Sequence, residues 1–321
     1  MTDSPAIRMD GLTKHYPGVE ALTDLSLEVP RGSIFGFLGP NGAGKTTTLK
    51  ILAGLIGPTS GTAEVEGTPL DAGADYRRSV GFLAQDPRYY DWMTGRETLE
   101  FVLSLDPDGT TDRKADRSRA DAALARVGLA DAGNRRTKTY SGGMRQRLGI
   151  AQALVTQPRV VLLDEPVSAL DPIGRREVLD LMADLKGEST VFYSTHILDD
   201  VQRVSDHVAI LDGGRLVRTS PTADLLESFT HDRLSVALGG PRDVAVQLAA
   251  IPGAIAVEPV GREGDVHRYI VRIQPDEAPA VQRAVTRLAA DRDLTVIEND
   301  LVRLDLEDVF LRLIDQKERA A

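Results

Sequence analysis

The segment GPNGAGKTT, residues 39–47, constrains the fold more than any other. It consists of Gly39, Pro40, Asn41, Gly42, Ala43, Gly44, Lys45, Thr46 and Thr47, and it fits the spacing G-x-x-x-x-G-K-[ST]. SIFGFL ahead of it is an apolar run of strand length, and TTLKILAGL behind it reads as a helix. A glycine-rich turn between a buried strand and a helix aims backbone N–H groups at one point, where an anion can sit. Lys45 adds a charge for the outer phosphates, and Thr46 adds a hydroxyl for Mg²⁺. The expected fold class is therefore α/β, built on a phosphate-binding loop.

A second run, RVVLLDEP at residues 159–166, has four apolar residues followed by two carboxylates. A continuous apolar run predicts a strand covered on both faces, as in a parallel sheet. Asp164 then stands at the strand's carboxyl end, where open α/β sheets bind ligands. That position suits Asp164 to the Mg²⁺ shell and Glu165 to polarising an attacking water. A third run, TYSGGMRQRLGIAQALV, poses a problem. Ser141 reads as an N-cap, with Met144, Leu148, Ala151 and Val155 at helical spacing. Yet Gly142 and Gly143 fill the first turn, at about 1 kcal/mol each relative to alanine. Such a helix start is a second place for an anion, about a hundred residues after the first.

Composition excludes several classes. The 321 residues carry a net charge of −10, so no electrostatic footprint for nucleic acid is expected. There is no cysteine, which removes disulfides and thiolate metal sites. The N-terminal MTDSPAIRMD has no signal-peptide core, and no apolar run approaches the ~20 residues of a membrane-spanning helix.

Taken in order, these motifs resemble those of the ATP-binding subunits of ABC transporters, over about residues 5–222. The phosphate loop corresponds to Walker A. Gln85, in SVGFLAQD, corresponds to the Q-loop and is a further Mg²⁺ and catalytic candidate. SGGMR corresponds to the signature, Asp164 and Glu165 to Walker B, and SALD, ending in Asp171, to the D-loop. FYSTH ends in His196, the switch histidine, and Tyr16 in KHYPG stands where the family stacks an aromatic ring on adenine. The resemblance implies ATP and Mg²⁺ as cofactors, hydrolysis by Lys45, Gln85, Glu165 and His196, and nucleotide contacts through Asp171 and Ser141–Gly142–Gly143. Two departures stand out: Tyr140 replaces a leucine before the signature, and Met144 replaces a glutamine within it.

Helical patterns in RETLEFVLSL and RADAALARVGL predict a helical subdomain, about 86–155, inside a nucleotide-binding domain of residues 1–225. It would carry the Gly-Gly helix start away from its own phosphate loop. In the resembled family that start faces the phosphate loop of a second subunit, so the partner is a second copy or a paralogous ATPase. Tyr89, Tyr90 and Trp92 precede a Thr94/Glu97 capping-box pattern and are expected loop anchors for a separate transmembrane permease. The subunit is then peripheral, on the cytoplasmic face of the membrane.

Residues 226–321 read as strand, helix, strand, strand, helix, strand, the ferredoxin-like order, followed by a short helix at LEDVFLRLI. A tail of that kind resembles the daunorubicin-resistance type of exporter ATPase. It implies export of a drug, antibiotic, lipid or similar cargo, and a role for the tail in keeping two subunits together. The alternative is a soluble ABC-type ATPase acting on the ribosome or DNA. A single cassette, the absence of long heptads and the negative charge weigh against it.

Overall fold

The computed structural model describes residues 4–105, 112–225, 233–274 and 277–302. The chain divides into two compact units, Met1–Thr222 and Ala223–Ala321.

The first unit contains, in chain order, β1 (Ile7–Tyr16), β2 (Val19–Val29), β3 (Ile34–Leu38), α1 (Lys45–Leu52), β4 (Ser60–Val65), β5 (Thr68–Pro69), α2 (Ala74–Arg78) and β6 (Val80–Leu83). Next along the chain come α3 (Gly95–Ser104), α4 (Arg113–Arg126), α5 (Gly142–Leu154), β7 (Val160–Asp164), α6 (Pro172–Asp184), β8 (Thr190–Thr195), α7 (Leu198–Val204), β9 (His207–Asp212) and β10 (Arg215–Pro221). One sheet has the order β2-β1-β4-β5 and the other β10-β9-β3-β8-β7-β6. In the second sheet only β10 runs antiparallel, returning from β9 through the Gly213–Gly214 turn.

Every residue of β3, β7 and β8 is buried, as a strand with elements on both faces requires. Phe35, Phe37, Leu162 and Phe192 meet in one core cluster, with the Phe37 and Phe192 rings 5.0 Å apart. Burying each such side chain stabilises the fold by about 1.5–3 kcal/mol. The register matters more for function. Leu38 pairs with Thr195, Asp164 with Ser194 and Leu83 with Leu163. Four parallel strands therefore end at one level, and the residues just past each strand line one edge.

The helical insertion is built by its caps. The Thr94 hydroxyl accepts from the Glu97 N–H at 3.1 Å while the Glu97 carboxylate accepts from the Thr94 N–H at 2.8 Å, completing the capping box of α3. Asp112 caps α4 and Ser141 caps α5. Tyr140, the unusual residue before the signature, is buried and donates its hydroxyl to the Ala132 carbonyl at 2.8 Å. Gly95 leaves room for it: a Cβ there would lie 2.3 Å from the Tyr140 oxygen.

The second unit contains β11 (Arg233–Gly239), α8 (Ala245–Ala249), β12 (Ala254–Glu263), β13 (Val266–Ile273), α9 (Ala278–Asp291) and β14 (Thr295–Leu301). Its antiparallel sheet has the order β12-β13-β11-β14, the ferredoxin-like arrangement. Leu234, Val236, Tyr269, Val271, Val281 and Val285 form a core of its own. The first expected helix of this unit is short, Ala245–Ala249. Asp243 stays outside it, accepting from the Ala245 N–H at 2.8 Å and from the Tyr269 hydroxyl at 3.0 Å. The helix expected at LEDVFLRLI lies outside the described residues.

Candidate functional site

Residues 39–47 join β3 to α1 as the spacing requires, and the loop holds its lysine tightly. Lys45 is buried, with Nζ donating to the carbonyls of Gly39 at 2.7 Å and Pro40 at 3.1 Å. Its Nζ lies 3.8 Å from Glu165 Oε1. Burial lowers the Lys45 pKa from the usual lysine range, and Glu165 and Asp164 work against that shift.

Asp164 and Glu165 end β7. Asp164 Oδ1 accepts from Ser194 Oγ at 2.6 Å and from Thr46 Oγ1 at 3.1 Å. Its other oxygen, Oδ2, is buried with no partner among the described residues. Burial raises the Asp164 pKa, and the two hydroxyls oppose that rise. An orphaned carboxylate oxygen beside a threonine hydroxyl is an oxygen-only donor set of the kind Mg²⁺ prefers, so these residues fit the ion.

Glu165 has a left-handed backbone, φ 48°, which few non-glycine residues adopt. Contacts around it hold that conformation. Its N–H donates to Ser194 Oγ at 2.9 Å, and Gln146 and Ser168 donate to its carbonyl at 3.3 and 3.1 Å. Its Oε1 lies 3.2 Å from His196 Nδ1. Lys45, Thr46, Asp164, Glu165 and His196 thus form one connected cluster. Gln85 lies two residues beyond Leu83, the register partner of Leu163, at the same sheet edge.

Ser194 and Gln146 lie inside the runs FYSTH and TYSGGMRQRLGIAQALV, but neither is a site residue that the motifs point to. A serine within the apolar strand TVFYST is the available signal, because a buried hydroxyl there needs partners.

Ser141, Gly142 and Gly143 are not part of this cluster. Ser141 Oγ accepts from the Met144 N–H at 3.2 Å. With Gly143, Met144, Arg147, Leu170 and Asp171, Ser141 lines a separate cleft of about 450 Å³ that no phosphate-loop residue lines. Asp171 caps α6, accepting from the Gly174 N–H at 2.8 Å, so that carboxylate is engaged at home. Tyr16 ends β1 and is 42% exposed.

The loop aromatics divide. Tyr89 is half-buried and donates its hydroxyl to the Arg145 carbonyl at 3.0 Å, and burial raises its pKa. It fastens the loop to α5, so of the three expected anchors Tyr89 is held by its own chain. Tyr90 and Trp92 are exposed, with rings 4.8 Å apart, and Phe101 of α3 stands edge-on to Tyr90 at 6.4 Å. Among the described residues no helix is long and apolar enough to cross a membrane.

A phosphate loop, a Walker B pair and a switch histidine on one parallel-sheet edge, with a glycine-headed helix apart from them, define an ABC-type ATPase. Comparison with known proteins agrees. The family model described as ABC transporter matches residues 22–168. The chain is 36% identical to the daunorubicin resistance ATP-binding protein DrrA3 of Streptomyces coeruleorubidus, over 98% of this chain and 97% of that relative. It is 33% identical to the bacitracin transport ATP-binding protein BcrA of Bacillus licheniformis, over 97% and 98% of the two chains. Among solved structures it is similar to the ATP-binding cassette MJ0796, a post-hydrolysis dimer bound to ADP and Pi, with TM-score 0.63 and 27% identity, covering 67% of this chain and 98% of that one. The chain belongs to the ATP-binding subunits of ABC transporters and is an ATPase.

Proposed function

We propose that this subunit drives export of a drug, antibiotic, lipid or similar cargo through a separate membrane permease, from the cytoplasmic face. The observation that carries the catalytic part is the cluster at the strand ends. Hydrolysis joins a water oxygen to the γ-phosphorus and breaks the bond to the β–γ bridging oxygen. Glu165 orients that water and takes its proton, and His196 holds the carboxylate through the 3.2 Å contact. Lys45 neutralises charge on the outer phosphates. Thr46, Asp164 and Gln85 would hold Mg²⁺, which supplies further charge neutralisation on the phosphate oxygens.

The Gly142–Gly143 helix start is read as closing over the ATP of a second subunit, with Asp171 beside it. Its separation from the chain's own phosphate loop supports that reading. Loss of the γ-phosphate removes the bridge to Ser141, and the pair opens, as phosphate-held switches do. Likeness to a daunorubicin resistance and a bacitracin transport ATP-binding protein along nearly the whole chain, second unit included, supports the export reading. Exposed Tyr90 and Trp92 are its candidate permease contacts. The test is co-purification from membranes. Wild type should carry a membrane subunit, and the Tyr90→Ser/Trp92→Ser protein should lose it while keeping basal ATPase. Retention of the partner by the double variant overturns this docking site.

A further inference from the structure

One cation outside the hydrolytic cluster has a use that the motif pattern does not contain. Lys14 of β1 lies two residues before Tyr16, half-buried, with Nζ 5.3 Å from the centroid of the Tyr16 ring. The same Nζ donates to the Gly57 carbonyl at 2.7 Å. Gly57 lies beyond the end of α1, the helix that begins at Lys45. The neighbouring backbone is fastened alongside: the Thr59 hydroxyl accepts from the His15 N–H at 3.0 Å, and the Thr59 N–H donates to the Thr13 carbonyl at 2.8 Å.

This arrangement does two physical things. First, it ties a half-exposed aromatic ring to the segment that follows the helix carrying the phosphate loop. Tyr16 pairs with Val19, and Ala21 abuts Gly44 of that loop. Val19 and Ala21 are two residues apart, so the Tyr16 backbone pairs on the order of 7 Å along β2 from the loop's wall. Second, the ammonium occupies one ring face. A cation is drawn to the negative face of an aromatic quadrupole. It holds the ring in one orientation and draws π density toward itself, which leaves the opposite face better suited to an electron-rich purine. Ordering that ring before the nucleotide arrives lowers the entropy lost on binding.

We infer that Lys14 is a positioning residue for adenine recognition, acting through Tyr16 by covering one face of the ring and anchoring it to Gly57. The inference rests on the reading of Tyr16 as the adenine platform. Lys14→Met and Lys14→Gln should each raise the KM for ATP by about two- to fivefold, with kcat within about twofold of wild type. Lys14→Arg, which keeps the cation, should restore the wild-type KM. Inhibition by inorganic tripolyphosphate, which has no base, should not change. In a Tyr16→Ala background Lys14→Met should add nothing.

Wild-type KM in Lys14→Gln overturns the role of the charge, because glutamine can still donate to Gly57. Equal weakening of tripolyphosphate and ATP overturns the proposal by moving the effect to the phosphate loop, and additivity with Tyr16→Ala does so by removing the ring. Tyr16→Ala alone without effect on KM overturns the platform reading itself. A raised KM in Tyr16→Ala with none in the Lys14 variants overturns only the role of Lys14. If Lys14→Met does not fold, the Gln and Arg variants carry the same comparison.

Discussion

The chain has two glycine-rich helix starts, and they use glycine for different reasons. In the phosphate loop the chain itself demands it. A Cβ on Gly39 would lie 2.3 Å from the Leu211 carbonyl oxygen, and one on Gly44 would lie 2.5 Å from the Ala21 oxygen at a φ of 102°. At the head of α5 the demand is absent. A Cβ on Gly142 meets nothing within 4 Å, and one on Gly143 meets only the tip of Leu170, at 3.1 Å. Gly142 gives up helix stability without any return inside its own chain. The first loop is explained by its fold. The second requires something outside it, and the nucleotide of a second subunit is the proposed occupant.

The largest effect should fall on Glu165, at the strand-end cluster. Glu165→Gln should slow ATP hydrolysis by on the order of a hundredfold or more while ATP still binds. Hydrolysis at the wild-type rate removes Glu165 from its role. In that slowed background the two starts can be set directly against each other. Gly44→Ala should abolish nucleotide binding and lower thermal stability, because both the backbone and the Ala21 oxygen oppose a side chain. Gly142→Ala should leave folding stability unchanged or raise it by up to about 1 kcal/mol of helix propensity, with the melting temperature following. ATP binding to the monomer should survive that change, and the ATP-dependent dimer seen by sedimentation should weaken. Ser141→Arg should abolish the dimer. If both Ser141→Arg and Gly142→Ala dimerise as the parent does, the contrast between the starts is only local.

A smaller effect concerns pH. Burial raises the Asp164 pKa, so protonation is favoured in the folded state. The stabilisation from a protonated Asp164 is complete below the ordinary carboxylate pKa, near 4, and is lost as pH rises through the raised value. At neutral pH the ionised carboxylate is thus a cost. Asp164→Asn should raise the melting temperature there and should lose hydrolysis. The difference from wild type should shrink on acidification toward pH 4; a difference constant over that range contradicts the assignment. The smallest effect is expected from a stop after residue 225. Both starts and a separate core lie within Met1–Thr222, so ATP affinity should not move. A truncated chain that no longer binds ATP would place part of the nucleotide site in the second unit.

Much of this architecture is legible in the sequence, because the motifs are local. Strand, loop and helix around 39–47, the capping box at Thr94 and Glu97, and the Gly213–Gly214 hairpin each arise from residues within a few positions of one another. The order of the ferredoxin-like elements comes from alternation and turn residues in the same way. Boundaries are less legible: Asp243 shortens α8 by bonding to Tyr269, 26 residues away.

What the linear order left undetermined depends on register and burial. Asp164 and Ser194 converge because β7 and β8 pair in a particular register, and the Thr46 hydroxyl, 118 residues before Asp164, reaches the same carboxylate from α1. The left-handed Glu165 and the orphaned Asp164 oxygen are products of the surroundings, not of the DEP triplet. Tyr89 and Tyr90 are chemically alike neighbours, and packing alone turns one into α5 and leaves the other outside. Residue types fix which chemistry is available. Which atoms face one another, and at what cost in solvation, is set by the strands and helices that pack around them.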